Sequence, residues 1–239
     1  MRRTALILGA LIGGPALGGF TACGNDVADS ATPTTESQVP FPSDGGLARW
    51  PHETLTDWVS YGDVAVVATV IDAAEIAPST EIAKHGGLVG RTITVRRDQV
   101  VWQHPAAPDP PETFEFVDYG WIIHDGARTP FTDRGTVRLE VGEQYLLLVA
   151  QLSDEGWFPV HPSTVLGLTS DRTDIAPEGA VPAARAVGGL SVDAIGSALS
   201  TAPPDPVAEA NRHLDIQSRW WTVRDDDAPT ASSQPPTTD

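Results

Sequence analysis

The sequence predicts a mainly β domain, a small antiparallel barrel or sandwich followed by two short C-terminal helices. Three observations lead to this fold class. Apolar runs rich in Val, Ile, Phe and Thr recur between residues 63 and 168. Pro and Gly lie in the connections, and no long helical pattern separates the runs as a parallel sheet would require. After about residue 188 the apolar spacing changes to three and four residues.

Each apolar run is expected to form one strand. The run at 63–71 is too continuous for a half-exposed strand, so it predicts a buried one. The run at 143–152 is the most apolar of the domain and predicts a central strand. Further strands are predicted at 91–102, 112–119, 136–141, 156–160 and 164–168, with Pro159 marking a sheet edge.

The strand predicted at 91–102 contains an irregularity. Its alternation is regular through Ile93 and Val95, and it slips between Asp98 and Val101. One extra residue in a strand has this effect on the pattern. The sequence therefore predicts a β-bulge at this point.

Two helices are predicted to pack on one side of the strands. In 190–200, Ser191 is suited to cap a helix whose apolar stripe includes Ile195 and Leu199. Asp205 followed by Pro206 is a strong helix start, and it predicts a second helix over 205–221.

The N-terminal residues have the three parts of an export signal. Arg2 and Arg3 precede a short apolar run that ends in the small residues Thr21 and Ala22. Cys23, the only cysteine of the chain, follows directly, which excludes a disulfide within the chain.

The four residues Phe20-Thr-Ala-Cys23 resemble the lipobox of bacterial lipoproteins, although Phe20 stands where leucine is usual. The resemblance implies cleavage between Ala22 and Cys23 and acylation of the Cys23 thiol. The protein would then be attached by lipid to the extracytoplasmic face of the cell membrane. An ordinary export signal with an incidental cysteine is the alternative. The preference for Arg over Lys, with abundant Ala, Asp and Pro, resembles the residue usage of actinobacteria.

The domain boundaries follow from composition. Residues 1–22 are predicted to be the signal peptide and 23–47 a disordered tether, because the latter are rich in Thr, Ser, Pro, Asp and Gly. The β-rich domain is expected at 48–222, with its C-terminal helices from about 188. Residues 223–239 are expected to form a disordered acidic tail.

The order of the strands adds a second resemblance. A buried "DVAVVATV" strand, then "TITVRRDQVVW" and "VGEQYLLLV", resembles the small OB-like, netrin-type barrels of secreted proteins. Animal inhibitors with that fold bind a metalloprotease zinc through an N-terminal cysteine. That activity is not expected here, because Cys23 is the predicted lipid site and the partner cysteines are missing.

The charge of the chain limits its partners. The formal net charge is −17, and loss of Arg2 and Arg3 with the signal changes it to −19. Such an acidic protein repels phosphate backbones, so nucleic-acid binding is not expected. The membrane, through the lipid on Cys23, and an envelope protein or glycan are the expected partners.

No motif of a known catalytic type is found. The sequence lacks a Gly-x-Ser-x-Gly elbow, a His-Glu-x-x-His pair and an EF-hand loop. The six histidines are not paired at metal-ligand spacing, so no catalytic residue, metal ligand or cofactor is assigned. These absences favour a non-catalytic protein.

The connection from Tyr119 to Phe131 is the predicted site of ligand contact. It is long for a link between barrel strands, and it carries Trp121 and the adjacent pair His124 and Asp125. Tyr119, Trp121, His124, Asp125 and Trp157 together form the candidate ligand surface. The alternative is a further hairpin strand with Trp121 and Ile123 facing inward.

Two functions are consistent with these features. The first is a lipid-anchored extracytoplasmic binding or interaction module without catalysis. The alternative is a metal-dependent or hydrolytic cell-envelope enzyme that uses His124, Asp125, Asp118 and Asp133.

Overall fold

A computed structural model describes residues 50–152 and 156–227 of the chain. The predicted signal, Cys23, the tether and the end of the tail from residue 228 lie outside the described residues. The structure consists mainly of antiparallel strands and contains several short helices, which confirms the predicted fold class. The sheet is not closed by hydrogen bonds, so a barrel is not confirmed.

Eight strands form the sheet, and all pair antiparallel. Along the sheet the strand order is β4-β3-β2-β1-β5-β7-β8, and β6 pairs with β5. The strands are β1 (Val64–Glu75), β2 (Gly87–Gln103), β3 (Thr113–His124), β4 (Ala127–Pro130), β5 (Gln144–Leu152), β6 (Gly156–Pro159), β7 (Val165–Thr169) and β8 (Arg172–Thr173).

The predicted central strand is confirmed. β5 pairs with β1 along one edge, and along the other with β6 through Val149–Leu152 and with β7 through Tyr145–Leu147. Its side chains are therefore buried on both sides of the sheet, as are those of the first half of β1. This double burial explains why both strands are continuously apolar in sequence.

The predicted irregularity in β2 is also confirmed. In the β1–β2 ladder, the partners pass from Trp102 to Val100 and from Gln99 to Arg97, so Val101 and Asp98 are the extra residues. Each extra residue shifts the alternation by one position. The slip seen in the sequence is therefore two bulges close together.

The sheet curls, and its two faces have separate cores. β3 contacts β6 although these strands do not pair, so the inner face encloses an apolar core. That core includes Ile93, Phe114, Phe116, Leu147 and Trp157.

The outer face of β1, β5 and β7 is covered by helices, and we call it the helix-covered face. Its core includes Trp58, Leu148, Val187, Ile195 and Leu199.

Six α-helices occur among the described residues, more than the two predicted. They are α1 (Leu55–Tyr61), α2 (Thr80–His85), α3 (Pro182–Val187), α4 (Val192–Thr201), α5 (Pro206–Ala210) and α6 (Ile216–Asp227). The helical region begins at α3, earlier than the expected residue 188. α1 was missed although Thr54 and Asp57 form a capping box, because seven residues give too short a pattern.

The helix predicted over 205–221 is wrong as a single element. Asp205 caps α5 as expected, but that helix ends at Ala210. A second carboxylate, Asp215, accepts from the Ser218 amide at 2.9 Å and starts α6. α6 continues to Asp227, so the described structure includes residues 223–227 of the predicted tail.

The prediction of a strand at 136–141 is also wrong, because these residues pair with no strand. Leu139 is buried in the inner core, which accounts for the apolar alternation. The backbone is held by a side chain instead, because the Tyr145 hydroxyl accepts from the Glu140 amide at 2.9 Å and donates to the Arg138 carbonyl at 3.1 Å.

Buried arginines join the C-terminal helices to the sheet. Arg212 and Arg219 contact the same Asp63 oxygen at 3.3 and 3.0 Å, and both donate to the Ser60 carbonyl. The other Asp63 oxygen accepts from the Gln151 amide at 2.9 Å. We call Ser60, Asp63, Arg212 and Arg219 the arginine seam. It fixes the region after α5 against the start of β1.

Candidate functional site

The segment from Tyr119 to Phe131 is a β-hairpin, as the second of the two interpretations from sequence predicts, although neither Trp121 nor Ile123 belongs to either core of the described residues. Its turn consists of Asp125 and Gly126, with φ angles of 49° and 74°. Two central residues with positive φ match the twist of a two-residue hairpin, and Asp-Gly is a preferred pair for this turn. Trp121 and Ile123 are half-buried whereas Ile122 is exposed, as expected for alternating strand faces.

Four of the predicted site residues lie on this hairpin, and with Arg128 we call them the hairpin surface: Tyr119, Trp121, His124, Asp125 and Arg128. The side chains of His124 and Asp125 are 85% and 90% exposed, with 3.3 Å between Nε2 and Oδ2. Tyr119 packs edge-to-face on Phe131, with 5.3 Å between the ring centroids. Four of the five predicted residues therefore share one hairpin, with Trp121 and His124 on opposite faces of its first strand, and Trp157 lies elsewhere.

Trp157 does not belong to this surface. Its side chain is only 6% exposed and is part of the inner core. The sequence placed it beside a loop, but in the structure it lies on β6, which pairs with β5 and contacts β3. Because the sheet curls, this short edge strand turns its aromatic side chain inward.

Arginines surround the ring of Trp121. The Arg128 guanidinium carbon is 3.8 Å from the ring centroid and that of Arg138 is 5.2 Å away, both within range of a cation–π interaction. Arg128 also pairs with Glu75 on β1, and Arg138 pairs with Glu140 at 3.0 Å. The half-buried Trp121 ring therefore lies beside two arginines, each of which is paired with a glutamate.

A buried ion pair lies beneath the hairpin. Arg91 is almost fully buried and donates to the Asp118 carboxylate at 3.0 Å and to the Tyr119 carbonyl at 3.0 Å. Burial raises the pKa of Asp118 above its usual value, and the opposing effect of Arg91 does not cancel it. Arg91 thus holds β3 in position directly before the residues of the hairpin surface.

The residues of the enzyme hypothesis are not assembled by the structure. Asp118 is engaged by Arg91, whereas Asp133 accepts from the Arg134 amide at 2.7 Å within a separate turn. No described contact joins either carboxylate to His124 or Asp125. Over residues 50–152 and 156–227, no three His, Cys, Asp or Glu side chains are grouped closely enough to hold a metal ion.

A groove that the sequence did not predict lies between β2 and α4. It encloses about 540 Å³ and is lined by Gln99 and Val101 of β2 and by Asp193, Gly196 and Ser197 of α4. A smaller recess of about 260 Å³ adjoins it. The bulge in β2 and the cap at Ser191 were visible signals, but their proximity depends on the tertiary fold.

The recess contains one well-bonded carboxylate. Burial alone would raise the pKa of Asp98, but hydrogen bonds from Thr69, Arg96 and Gln144 outweigh it and lower the pKa below its usual value. These bonds connect β1, β2 and β5 at the bulge. Asp98 therefore serves to hold the bulged strand in register.

Comparison with known proteins gives no information on the function of the hairpin surface or of the groove between β2 and α4. No family model, curated protein or solved structure matches the chain. Among the helices of the described ranges, none is long and apolar enough to span a membrane.

Proposed function

We propose that this chain is a lipid-anchored extracytoplasmic binding module without catalytic activity. The observation that carries the proposal is Cys23, the only cysteine, which directly follows Phe20-Thr-Ala at the end of an apolar export segment. The lipid on Cys23 attaches the protein to the extracytoplasmic face of the cell membrane. The residues at 23–47 then connect the β-rich domain to the lipid on Cys23.

The hairpin surface is the proposed contact for a partner. It combines a half-buried aromatic ring with exposed groups of both charges, including Arg128, His124 and Asp125. Aromatic and arginine side chains within a polar rim are typical of the anchors in protein interfaces. These features support recognition of an envelope protein.

A glycan partner is less well supported by the same geometry. Stacking on a sugar requires an open aromatic face. Arg128 lies over the Trp121 ring at 3.8 Å, and the ring is half-buried. We therefore propose a protein of the cell envelope as the partner.

The anchor is tested by replacing Cys23 with Ala in the full-length chain. Labelled palmitate should be incorporated by the wild type and lost in Cys23→Ala, with release from the membrane fraction or accumulation of the unprocessed form. Unchanged labelling and mobility of Cys23→Ala would show that Cys23 is not the lipid site.

The binding surface is tested by crosslinking in the native membrane. Arg128→Ala should weaken the capture of an envelope partner at least tenfold, because it removes the cation on Trp121. Arg134→Ala is the matched control, since Arg134 is exposed and pairs with Glu178 in another turn. Equal capture by the wild type and both variants would exclude the hairpin surface as the contact.

A melting experiment distinguishes the enzyme alternative. We expect no change in melting temperature when Zn²⁺ or Ca²⁺ is added to the full-length protein. A ligand at 100 times its dissociation constant stabilises a protein by about 2.7 kcal/mol, so a bound metal would be detected. A rise with either ion would favour the metal-dependent alternative.

A further inference from the structure

Two histidine rings stack where the chain enters the domain. The centroids of His52 and His161 are 3.6 Å apart, and the rings are inclined by 14°. His52 belongs to the segment 50–54 that precedes α1. His161 caps the 3₁₀ turn at Pro162–Thr164, directly after β6. The stack therefore joins the start of the described chain to the edge of the sheet.

The hydrogen bonds assign the protons of the neutral rings. Nδ1 of His161 accepts from the Ser163 amide at 3.1 Å, so the ring hydrogen of neutral His161 is on Nε2. A second proton would have to go to Nδ1, where it would oppose the Ser163 N–H and remove the cap of the turn. Nδ1 of His52 instead donates to the Trp50 carbonyl at 2.9 Å.

His161 also lacks the solvent that a charged ring needs. It is 8% exposed, and burial, followed by the charge of His52, lowers its pKa to about 3. No described carboxylate is hydrogen-bonded to either ring. Of the charged groups on the neighbouring elements, Glu53 is exposed, Asp57 caps α1, and Arg185 of α3 donates to the Ala180 carbonyl.

Three contacts dock the segment around the stack. Trp50 packs on Phe158 with 5.3 Å between the ring centroids. The Trp58 indole donates to the His52 carbonyl at 2.8 Å, and the Ala183 amide donates to the Glu53 carbonyl at 2.8 Å. If the segment detached, His161 would lose the ring that covers it and would become exposed to water.

We propose that the His52–His161 stack is an acid-sensitive latch that holds residues 50–54 on the domain and releases them as the pH falls. In the closed state His161 stays neutral, whereas in the open state it accepts a proton. Acid therefore favours the open state. The latch follows the predicted tether, so opening lengthens the connection to the membrane; this consequence rests on the proposed anchor at Cys23, but the latch itself does not.

The size of the effect follows from linkage. An open His161 has an ordinary pKa of about 6.5, so the closed state is fully favoured above that pH and loses stability as the pH falls toward 3. Between pH 7 and pH 5 the ratio of open to closed molecules should rise about 25-fold.

Hydrogen exchange of the full-length chain tests the latch, because the Ala183 amide is bonded to Glu53 only when the segment is docked. After correction for intrinsic rates, protection of the Ala183 amide should fall about 25-fold from pH 7 to pH 5. At pH 7 the Ala183 amide should also be at least tenfold less protected than the Leu147 amide. Low concentrations of urea should leave the exchange rate of the Ala183 amide unchanged. His161→Asn, which retains a capping oxygen but does not titrate, should remove the pH dependence.

His85→Asn is the matched control, because the side chain of His85 is 73% exposed and lies on α2. It should behave as the wild type. The latch is excluded if urea accelerates exchange of the Ala183 amide as strongly as that of the Leu147 amide, because residues 50–54 would then open only on global unfolding. It is also excluded if His161→Asn keeps the pH dependence of the wild type.

A direct titration covers the case in which His161→Asn does not fold. The imidazole signals of wild-type His161, followed by NMR, should titrate with a midpoint below pH 5. A midpoint near pH 6.5 would show that the closed state accepts the proton and would overturn the latch.

Discussion

Arginine has different surroundings on the helix-covered face and on the hairpin surface. In the arginine seam, Arg219 is 1% exposed and its guanidinium bonds Asp63 and two backbone carbonyls. On the hairpin, Arg128 is exposed, pairs with Glu75 and lies on the Trp121 ring. The difference shows that a buried arginine links separate backbone elements through fixed hydrogen bonds. An exposed arginine can exchange its partners with water or with another protein.

The histidines of the two regions differ in the same way. His161, beside the helix-covered face, is buried under another ring, whereas His124 at the tip of the hairpin is exposed. Removing a buried polar group leaves its partner unsatisfied, but an exposed partner regains water. Substitutions on the helix-covered side should therefore affect stability, and those on the hairpin should mainly affect binding.

The largest effect is expected at Arg219. Arg219→Met removes one of the two guanidinium donors to the Ser60 carbonyl and to Asp63 and leaves Arg212 as the other, so it should lower the free energy of unfolding by about 3 kcal/mol. Chemical denaturation checks the value. Arg224→Met, on the exposed surface of the same helix, should cost less than about 1 kcal/mol. Equal effects of the two variants would contradict the role of the seam.

The second effect is the pH dependence of stability. Because burial lowers the pKa of His161 to about 3, the unfolded chain binds a proton below pH 6.5 that the folded chain does not. The free energy of unfolding should therefore fall by about 2 kcal/mol from this residue between pH 7 and pH 5. Urea denaturation of the wild type and His161→Asn measures the difference. His124→Asn should follow the wild-type curve. If the free energies of unfolding of the wild type and of His161→Asn differ by the same amount at pH 7 and pH 5, the burial of His161 is contradicted.

A smaller effect is expected for Trp121. Its ring is half-buried on β3 and faces Arg128, so Trp121→Ala should lower the free energy of unfolding by about 1 to 2 kcal/mol, below the cost in a core. Capture of the partner should fall more strongly than stability. A loss of several kcal/mol would mean that Trp121 is a core residue and would withdraw it from the binding surface.

The smallest effect is expected at the hairpin turn. Gly126 has a φ angle of 74°, and an added Cβ would meet no atom within 4 Å, so only backbone strain opposes a side chain there. Gly126→Ala should therefore cost about 1 kcal/mol. Gly126→Asn should cost less, because Asn tolerates this conformation. The melting temperatures of the two variants, measured side by side, should differ in that order.

Part of the candidate site could be predicted from sequence, because it depends on local chemistry. The Asp125-Gly126 pair specifies a tight turn, and alternation around Trp121 places Ile122 on the other face. Tyr119, Trp121, His124 and Asp125 therefore share one hairpin. Trp157 could not be placed from sequence, because its burial depends on the approach of β3 to β6 across the curled sheet.

Local patterns in the sequence predict the continuously apolar strands β1 and β5, the bulge in β2, and the helix starts at Ser191 and Asp205. Each depends on side chains within a few residues of one another. Tertiary packing accounts for three further features. The Tyr145 hydroxyl holds the backbone at Arg138 and Glu140, Arg212 and Arg219 meet at Asp63, and His52 stacks on His161. The His52 and His161 positions are more than 100 residues apart in sequence. Their contact follows from the packing of the sheet and the helices, and no local pattern encodes it.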